Sequence, residues 1–335
     1  MTLIARRTLL ATSAATLLPL ARARAAGEKI TLMLNWYVYG EHAPFYLGRE
    51  RGFYTDQGID LDIQEGRGSA VVTQAVAAGS IPFGYVDIPT MMRAAIKGAP
   101  VTSPGVLIQV NPMAVMGLAE KNIRKPDDIR GKTVAVSPGD SMSQIWPLFL
   151  KRTGLKESDF NTVSGDGQTK LNAVISGRAD LLLGYVMDQS MKIKDATGKD
   201  TFPIRFADYG INLVSSGIIA RPALLAENPD LVRRFMRAST RAIEVAEKEP
   251  GAAAQAILNA NPKGGQLTTL TQGFELTIPL YRLPGATNRP FVVTDQLMKD
   301  SVDLMVEWGG LDASAKEKAK SFYTNDFLPD APPKS

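Results

Sequence analysis

Ala75-Val76-Ala77-Ala78-Gly79 leads into Gly84-Tyr85-Val86-Asp87, and about a hundred residues later the pattern returns: Ala173-Val174-Ile175-Ser176-Gly177 leads into Gly184-Tyr185-Val186-Met187-Asp188. Each copy reads as the end of a helix, a Gly stop, a short apolar strand and a Gly-Tyr-Val turn closed by a carboxylate. A helix-to-strand unit that occurs twice predicts an α/β fold of two similar lobes. Two lobes enclose a cleft, and the turns at strand ends are where open α/β sheets bind ligands.

The N-terminus reads as an export signal. Arg6-Arg7 supply the positive start, Leu9 to Leu20 form an apolar stretch, and Ala23-Arg24-Ala25 has the small-x-small cleavage pattern. The same Arg pair suits either a general secretory or a twin-arginine signal. Residues 1–26 hold four Arg and no acid, so their removal takes the formal charge from +4 to zero. A mature chain without basic excess is not drawn to nucleic acid or anionic membrane. No later segment is apolar enough to insert in a membrane. The chain has no cysteine, which excludes disulfides, thiol nucleophiles, thiolate metal sites and a lipid anchor at the cleavage point. These features predict a soluble protein of the periplasm.

About 309 residues remain after cleavage, enough for two domains. The alternation of strand and helix patterns places lobe 1 at 27–120 and 215–328, lobe 2 at 121–214 and a frayed Pro-rich tail at 329–335. Val101–Val110 and Ala114–Leu118 read as strands of the first lobe. Crossing strands, and with them the hinges, fall at Leu118–Lys121 and Leu213–Ile219. Ser69 is an N-cap candidate, Ser141 and Gln144 have capping-box spacing, and Pro147 should kink or shorten the helix that Ser141 starts. The C-terminal third reads as helical, on the first lobe.

Candidate ligand groups cluster at the turns. Trp36, Tyr37 and Tyr39 follow the first strand and could stack on a flat solute. Alternate residues of an extended segment point opposite ways, so core packing competes for some of them. His42 is the only histidine, so no His-pair metal site exists; it suits a hydrogen bond to a ligand or a helix cap. Ser137, Gly139 and Ser141 precede a helix and offer free N–H and hydroxyl groups. Gly66-Arg67-Gly68-Ser69 is the equivalent loop of the first lobe, where Arg67 could clamp an anion and Ser69 could cap or bind. Asp87 and Asp188 close the repeated turns and suit a ligand amine, one from each lobe, or a helix cap. Tyr85 and Tyr185 precede them. Phosphate-loop, zinc and EF-hand patterns and a nucleophile elbow are absent, and no cofactor or catalytic set is predicted.

Asn35-Trp36, then His42-Ala43-Pro44-Phe45-Tyr46, Glu50-Arg51-Gly52-Phe53-Tyr54 and Gly58-Ile59-Asp60-Leu61, form a signature that resembles the solute-binding proteins of ABC importers in the thiamine-pyrimidine, nitrate, sulfonate and taurine group. Lys125-Pro126-Asp127-Asp128-Ile129-Arg130-Gly131-Lys132 resembles the opening of that group's second lobe, and Gly177-Arg178-Ala179-Asp180 its Gly-x-x-Asp before a strand. The resemblance covers roughly Ile30 to Leu328. It implies a type II-like, two-lobed periplasmic-binding-protein fold, a monomer that closes on a small-molecule solute, and an ABC permease with its ATPase as partner. Asn35-Trp36 followed by His42 is similar to the members that bind aminopyrimidine precursors of thiamine. Those members usually carry Asn where this chain has Tyr39-Gly40-Glu41. Nitrate, alkanesulfonate, taurine or an aromatic carboxylate are the alternative solutes. A pyrimidine-synthesis enzyme on the same fold is the alternative of another class; its eukaryotic branch carries a Cys-rich motif that is missing here.

Overall fold

The computed structural model describes residues 27–330. The export signal read at 1–26, and the tail beyond residue 330, lie outside the described residues. Ten strands run in chain order: β1 Glu28–Met33, β2 Ile59–Gln64, β3 Phe83–Asp87, β4 Thr102–Val106, β5 Met113–Leu118, β6 Thr133–Val136, β7 Asn161–Ser164, β8 Leu181–Tyr185, β9 Thr201–Arg205 and β10 Ser216–Ala220. They form two five-stranded sheets, ordered β2-β1-β3-β10-β4 and β7-β6-β8-β5-β9. The plans match strand for strand. In the first, β1 is parallel to β2 and β3 while β10 runs antiparallel between β3 and β4. In the second, β6 is parallel to β7 and β8 while β5 runs antiparallel between β8 and β9.

The repeated unit occupies the same place in each. The helix Ser69–Ala77 precedes β3 and the helix Gly167–Ile175 precedes β8. Gly79 and Gly177 stop them with φ of +77° and +76°, the left-handed conformation that costs a residue with a Cβ. Both strands are buried throughout, which is why they read as continuous apolar runs and not as alternating ones.

One boundary differs from the sequence reading. β5 pairs with β8 and β9, so it belongs to the second sheet and not to a first lobe extending to residue 120. Its apolar run suits either sheet; pairing alone decides. The chain therefore crosses at 107–112 and returns at 206–215. The two crossing segments run side by side: Ser215 N–H donates to the Ile108 carbonyl (2.8 Å) and Asn111 Nδ2 to the Ile211 carbonyl (2.6 Å). Leu118–Lys121 lies at the far end of β5, away from the crossing. The helix Ser141–Thr153 runs through Pro147. One intrahelical N–H is lost there, but Trp146 and Phe149 stack on each other (5.2 Å) and on Phe206 (6.1 and 4.4 Å), which holds the helix to its sheet.

The C-terminal helices cover the first sheet. Phe235 of the helix Pro229–Ala246 stacks on Phe83 of β3, with ring centroids 4.0 Å apart. The helix Leu267–Thr277 reaches further and touches the second lobe, for a Cβ on its Gly273 would stand 2.7 Å from the Met187 carbonyl. None of the described helices is long and apolar enough to cross a membrane.

Candidate functional site

The lobes meet where the helices Ser69–Ala77 and Ser141–Thr153 begin. A Cβ on Gly68 (φ +121°) would lie 2.5 Å from the Gly139 carbonyl, and one on Gly167 would lie 2.5 Å from the Trp36 ring. Only glycine lets the two backbones come this close, so this is a closed arrangement. The cleft behind the contact has about 340 Å³ of space between atoms, part of it open to solvent, and it is narrow. A solute is therefore admitted by movement of the lobes or of the lining side chains.

The first lobe lines the cavity with Asn35, Trp36, Tyr39, Gly68 and Ser69. The second supplies Asp140, Ser141, Met142, Lys170, Gly184, Tyr185, Asp188 and Gln189. Asp188 is the polar centre. Its Oδ2 accepts from the Tyr37 hydroxyl of the other lobe (2.9 Å) and from Gln189 Nε2. Its Oδ1 is buried with no hydrogen-bond donor in place; the nearest cation, Lys192 Nζ, stands 3.3 Å away and lies over the Tyr37 ring. The missing Cβ of Gly184 lets Gln189 fold back to accept from the Tyr185 N–H (2.8 Å). Tyr185 Oη pairs with Ser141 Oγ at 2.9 Å and Ser215 Oγ at 3.2 Å.

Lys170 forms a buried ion pair with Asp140 at 2.9 Å, and its ammonium is 5.4 Å from the centre of the Trp36 ring. Asp140, not Ser141, caps its helix, accepting from the Ser143 N–H (2.7 Å). Ser69 is likewise not a cap; its hydroxyl accepts from the Asp87 N–H (3.0 Å), and Gly68 is the N-cap.

Three sequence candidates lie behind the wall. Asp87 is fully buried and caps the helix Ile88–Ile96, accepting from the Thr90 N–H (3.0 Å) and hydroxyl (2.8 Å). Burial pushes its carboxyl up to about 7. Tyr85 donates to Glu41 (2.7 Å), whose other oxygen accepts from Tyr39. His42 is sealed in, and its Nε2 meets Asn35 Oδ1 at 2.8 Å. An amide oxygen only accepts, so Nε2 carries the proton. Burial, then Lys192, lowers the His42 pKa to about 3, so the ring is neutral. Burial, then neighbouring carboxylates, holds Tyr37, Tyr39 and Tyr185 well above the ordinary tyrosine value, and their hydroxyls keep their protons.

Arg67, Ser137 and Tyr37 face a separate, open groove of about 1190 Å³ at the mouth, which also has Trp36 on its wall. Gly139 makes the contact between lobes. Sequence reasoning passed over Lys170, Gln189 and Glu41. Lys170 carried a signal: it shares a helix face with Leu171 and Val174, where an amphipathic helix keeps apolar residues.

The NMT1/THI5-like family model matches residues 40–253. A 4-amino-5-hydroxymethyl-2-methylpyrimidine phosphate synthase of Legionella pneumophila is 26% identical over 315 residues, 91% of this chain and 94% of that protein. The riboflavin-binding protein RibY of Chloroflexus aurantiacus is 25% identical over 95% of this chain and 91% of its own length. A formylaminopyrimidine-binding protein of Halalkalibacterium halodurans is 27% identical over 69% of this chain and 70% of its own. Among solved structures, the alkanesulfonate-binding protein SsuA of Xanthomonas axonopodis superposes with a TM-score of 0.68 at 14% identity, covering 90% of this chain and 99% of that one. The periplasmic nitrate-binding protein NrtA of Synechocystis gives 0.65 at 13%, covering 90% and 87%. The fold is thus that of periplasmic binding proteins, and the chain belongs to the NMT1/THI5-like family.

Proposed function

We propose that this member of the NMT1/THI5-like family is an exported solute-binding protein that captures a small heteroaromatic solute with N–H donors, most simply an aminopyrimidine, and presents it to an ABC importer. The observation that carries this reading is Asp188. A buried carboxylate on the cavity wall, fixed by residues of both lobes, keeps one oxygen without a hydrogen-bond donor. That oxygen has the charge of Lys192 beside it at 3.3 Å but no donor in hydrogen-bond geometry, and a solute amino group can supply one. Trp36 and Tyr39 supply aromatic surface beside it. Closure follows from the same geometry, since the solute would bridge Asp188 of one lobe and the ring faces of the other.

Sign separates this reading from nitrate or a sulfonate. An oxyanion needs donors on all sides, whereas Asp188 presents an acceptor to the cavity, which opposes a bare oxyanion even though Asp140 is balanced by Lys170. Export to the periplasm, action as a monomer and partnership with a permease and its ATPase complete the proposal. Export and the permease partnership are supported by the family and by the fold shared with periplasmic binding proteins. A second reading, synthesis of a pyrimidine phosphate, is favoured by the name of the Legionella relative, which matches nearly the whole chain.

A thermal-shift panel of aminopyrimidines, riboflavin, alkanesulfonates, nitrate and aromatic carboxylates tests the assignment. A solute at a hundred times its dissociation constant adds about 2.7 kcal/mol of stability. The expected result is a shift with aminopyrimidines and recovery of the unchanged solute by mass spectrometry. Shifts with anions alone would contradict the solute class, and turnover of the captured molecule would contradict the binding role.

A further inference from the structure

Lys170 is the one Lys or Arg that is fully buried among the described residues, 2% exposed, and it stands on the cavity wall. Its partner Asp140 is also buried and also on that wall. Taking two charges out of water costs several kcal/mol per ion, and a well-packed apolar pair often serves stability as well or better. Stability therefore does not explain the pair. Its position suggests what does. An ammonium has three donors, and Lys170 Nζ donates to Asp140 Oδ2. The Trp36 ring lies on another side of the ammonium, at 5.4 Å. Asp140 is further committed to its helix, so it orients the lysine and neutralises it without moving.

We propose that Lys170 reads a hydrogen-bond acceptor on the solute: an oxo, formyl or carboxylate oxygen carried on, or attached to, the ring that stacks near Trp36. The inference rests on the cavity's being the solute site and deepens that reading. The cavity then has two separate polar contacts of opposite kind. Asp188 takes a donor, and Lys170 takes an acceptor. A ring with an amino group and no oxygen satisfies one of them, a bare oxyanion satisfies the other, and a ring bearing both groups satisfies the two together. Because Asp140 already balances the Lys170 charge, a neutral carbonyl is as acceptable as an anion.

The test is calorimetric titration with matched pairs of probes. One pair is 4-amino-5-aminomethyl-2-methylpyrimidine and its N-formyl derivative; the other is 2-aminopyridine and 6-aminonicotinate. The native protein should favour the oxygen-bearing partner of at least one pair by about ten- to a hundredfold, as a hydrogen bond to a charged group does. Lys170→Met should bring that ratio to within about threefold, whatever the change in the two absolute affinities. Removing one member of a buried pair strands the other, so Asp140→Asn with Lys170→Gln, a neutral pair of similar size, serves as the second variant and should lose the preference equally. If the oxygen-free amines bind and the ratio is unchanged in both variants, the Lys170 inference is overturned while the solute class survives. If only the oxygen-bearing anions bind and Asp188→Asn does not weaken them, the amine reading fails and Lys170 stands. If no probe of either pair binds, both are overturned.

Discussion

The two copies of the repeated unit have the same helix, the same glycine stop and the same strand position, yet their carboxylates do opposite work. In the first copy Asp87 follows Val86 directly, falls on the N-cap of the next helix and spends its oxygens on Thr90 and Ser215. In the second copy Met187 is inserted between Val186 and the acid. Asp188 makes no side-chain cap bond to its helix and turns to the cavity, where it meets Tyr37 of the other lobe. One added residue turns a cap into a contact between lobes. Tyr85 and Tyr185 divide in the same way, the first onto buried Glu41 and the second onto the cavity.

The contrast predicts that the two acids fail differently. Asp188→Asn should weaken aminopyrimidine binding by about ten- to a hundredfold, since a charged acceptor becomes a neutral one, and should change the melting temperature little. Asp87→Ala should do the reverse: affinity stays within a few-fold, while stability falls by about 1–3 kcal/mol from the lost cap and the stranded Thr90 groups. Chemical denaturation and calorimetry on the two variants would break the comparison if both lost binding alike.

A second contrast lies in proton linkage. His42, with its pKa lowered to about 3 from 6.5, contributes stability that is lost as pH falls through that interval. Asp87, raised to about 7 from 3.8, contributes stability that is lost as pH rises through its interval. The two slopes oppose each other between roughly pH 4 and 6.5 and partly cancel. Relative to the native protein, His42→Gln should grow less stable with rising pH in that window, and Asp87→Asn more stable. Each difference should approach about 1.4 kcal/mol per pH unit in urea titrations. Equal slopes in all three proteins would show that neither group is buried in the charge state described.

A smaller effect is expected at Tyr37. Tyr37→Phe removes one hydrogen bond across the lobes and keeps the ring under Lys192, so affinity should fall by about three- to tenfold, with little change in stability. A loss as large as that of Asp188→Asn would mean that the hydroxyl, and not the carboxylate, anchors the site.

Much of this was legible in the sequence, and the reasons for the rest are physical. The repeat, the glycine stops and the buried strands that follow them were set by local rules. The sheet that claims Met113–Leu118 did not follow, because strand pairing is a long-range choice between two equally apolar partners. At the site, Trp36, Tyr39 and Asp188 stood out by type and place. Asp87 and His42 were indistinguishable from ligand residues in sequence, since a cap and a ligand use the same atoms. Lys170 was overlooked because a lysine on a helix is ordinarily solvated, and only its spacing with Val174 marks it as inward-facing.

The central claim is that the lobes close on a solute held between them. The chain has no cysteine, so Glu65→Cys and Gln168→Cys, two exposed positions on opposite sides of the mouth, accept spin labels without background. The distance between the labels should shorten and its distribution narrow when the best solute of the panel is added. Gly167→Leu, which places a side chain where the Trp36 ring now packs, should keep the distance long under the same conditions. A distance unchanged by a solute whose binding calorimetry has proved would contradict the account.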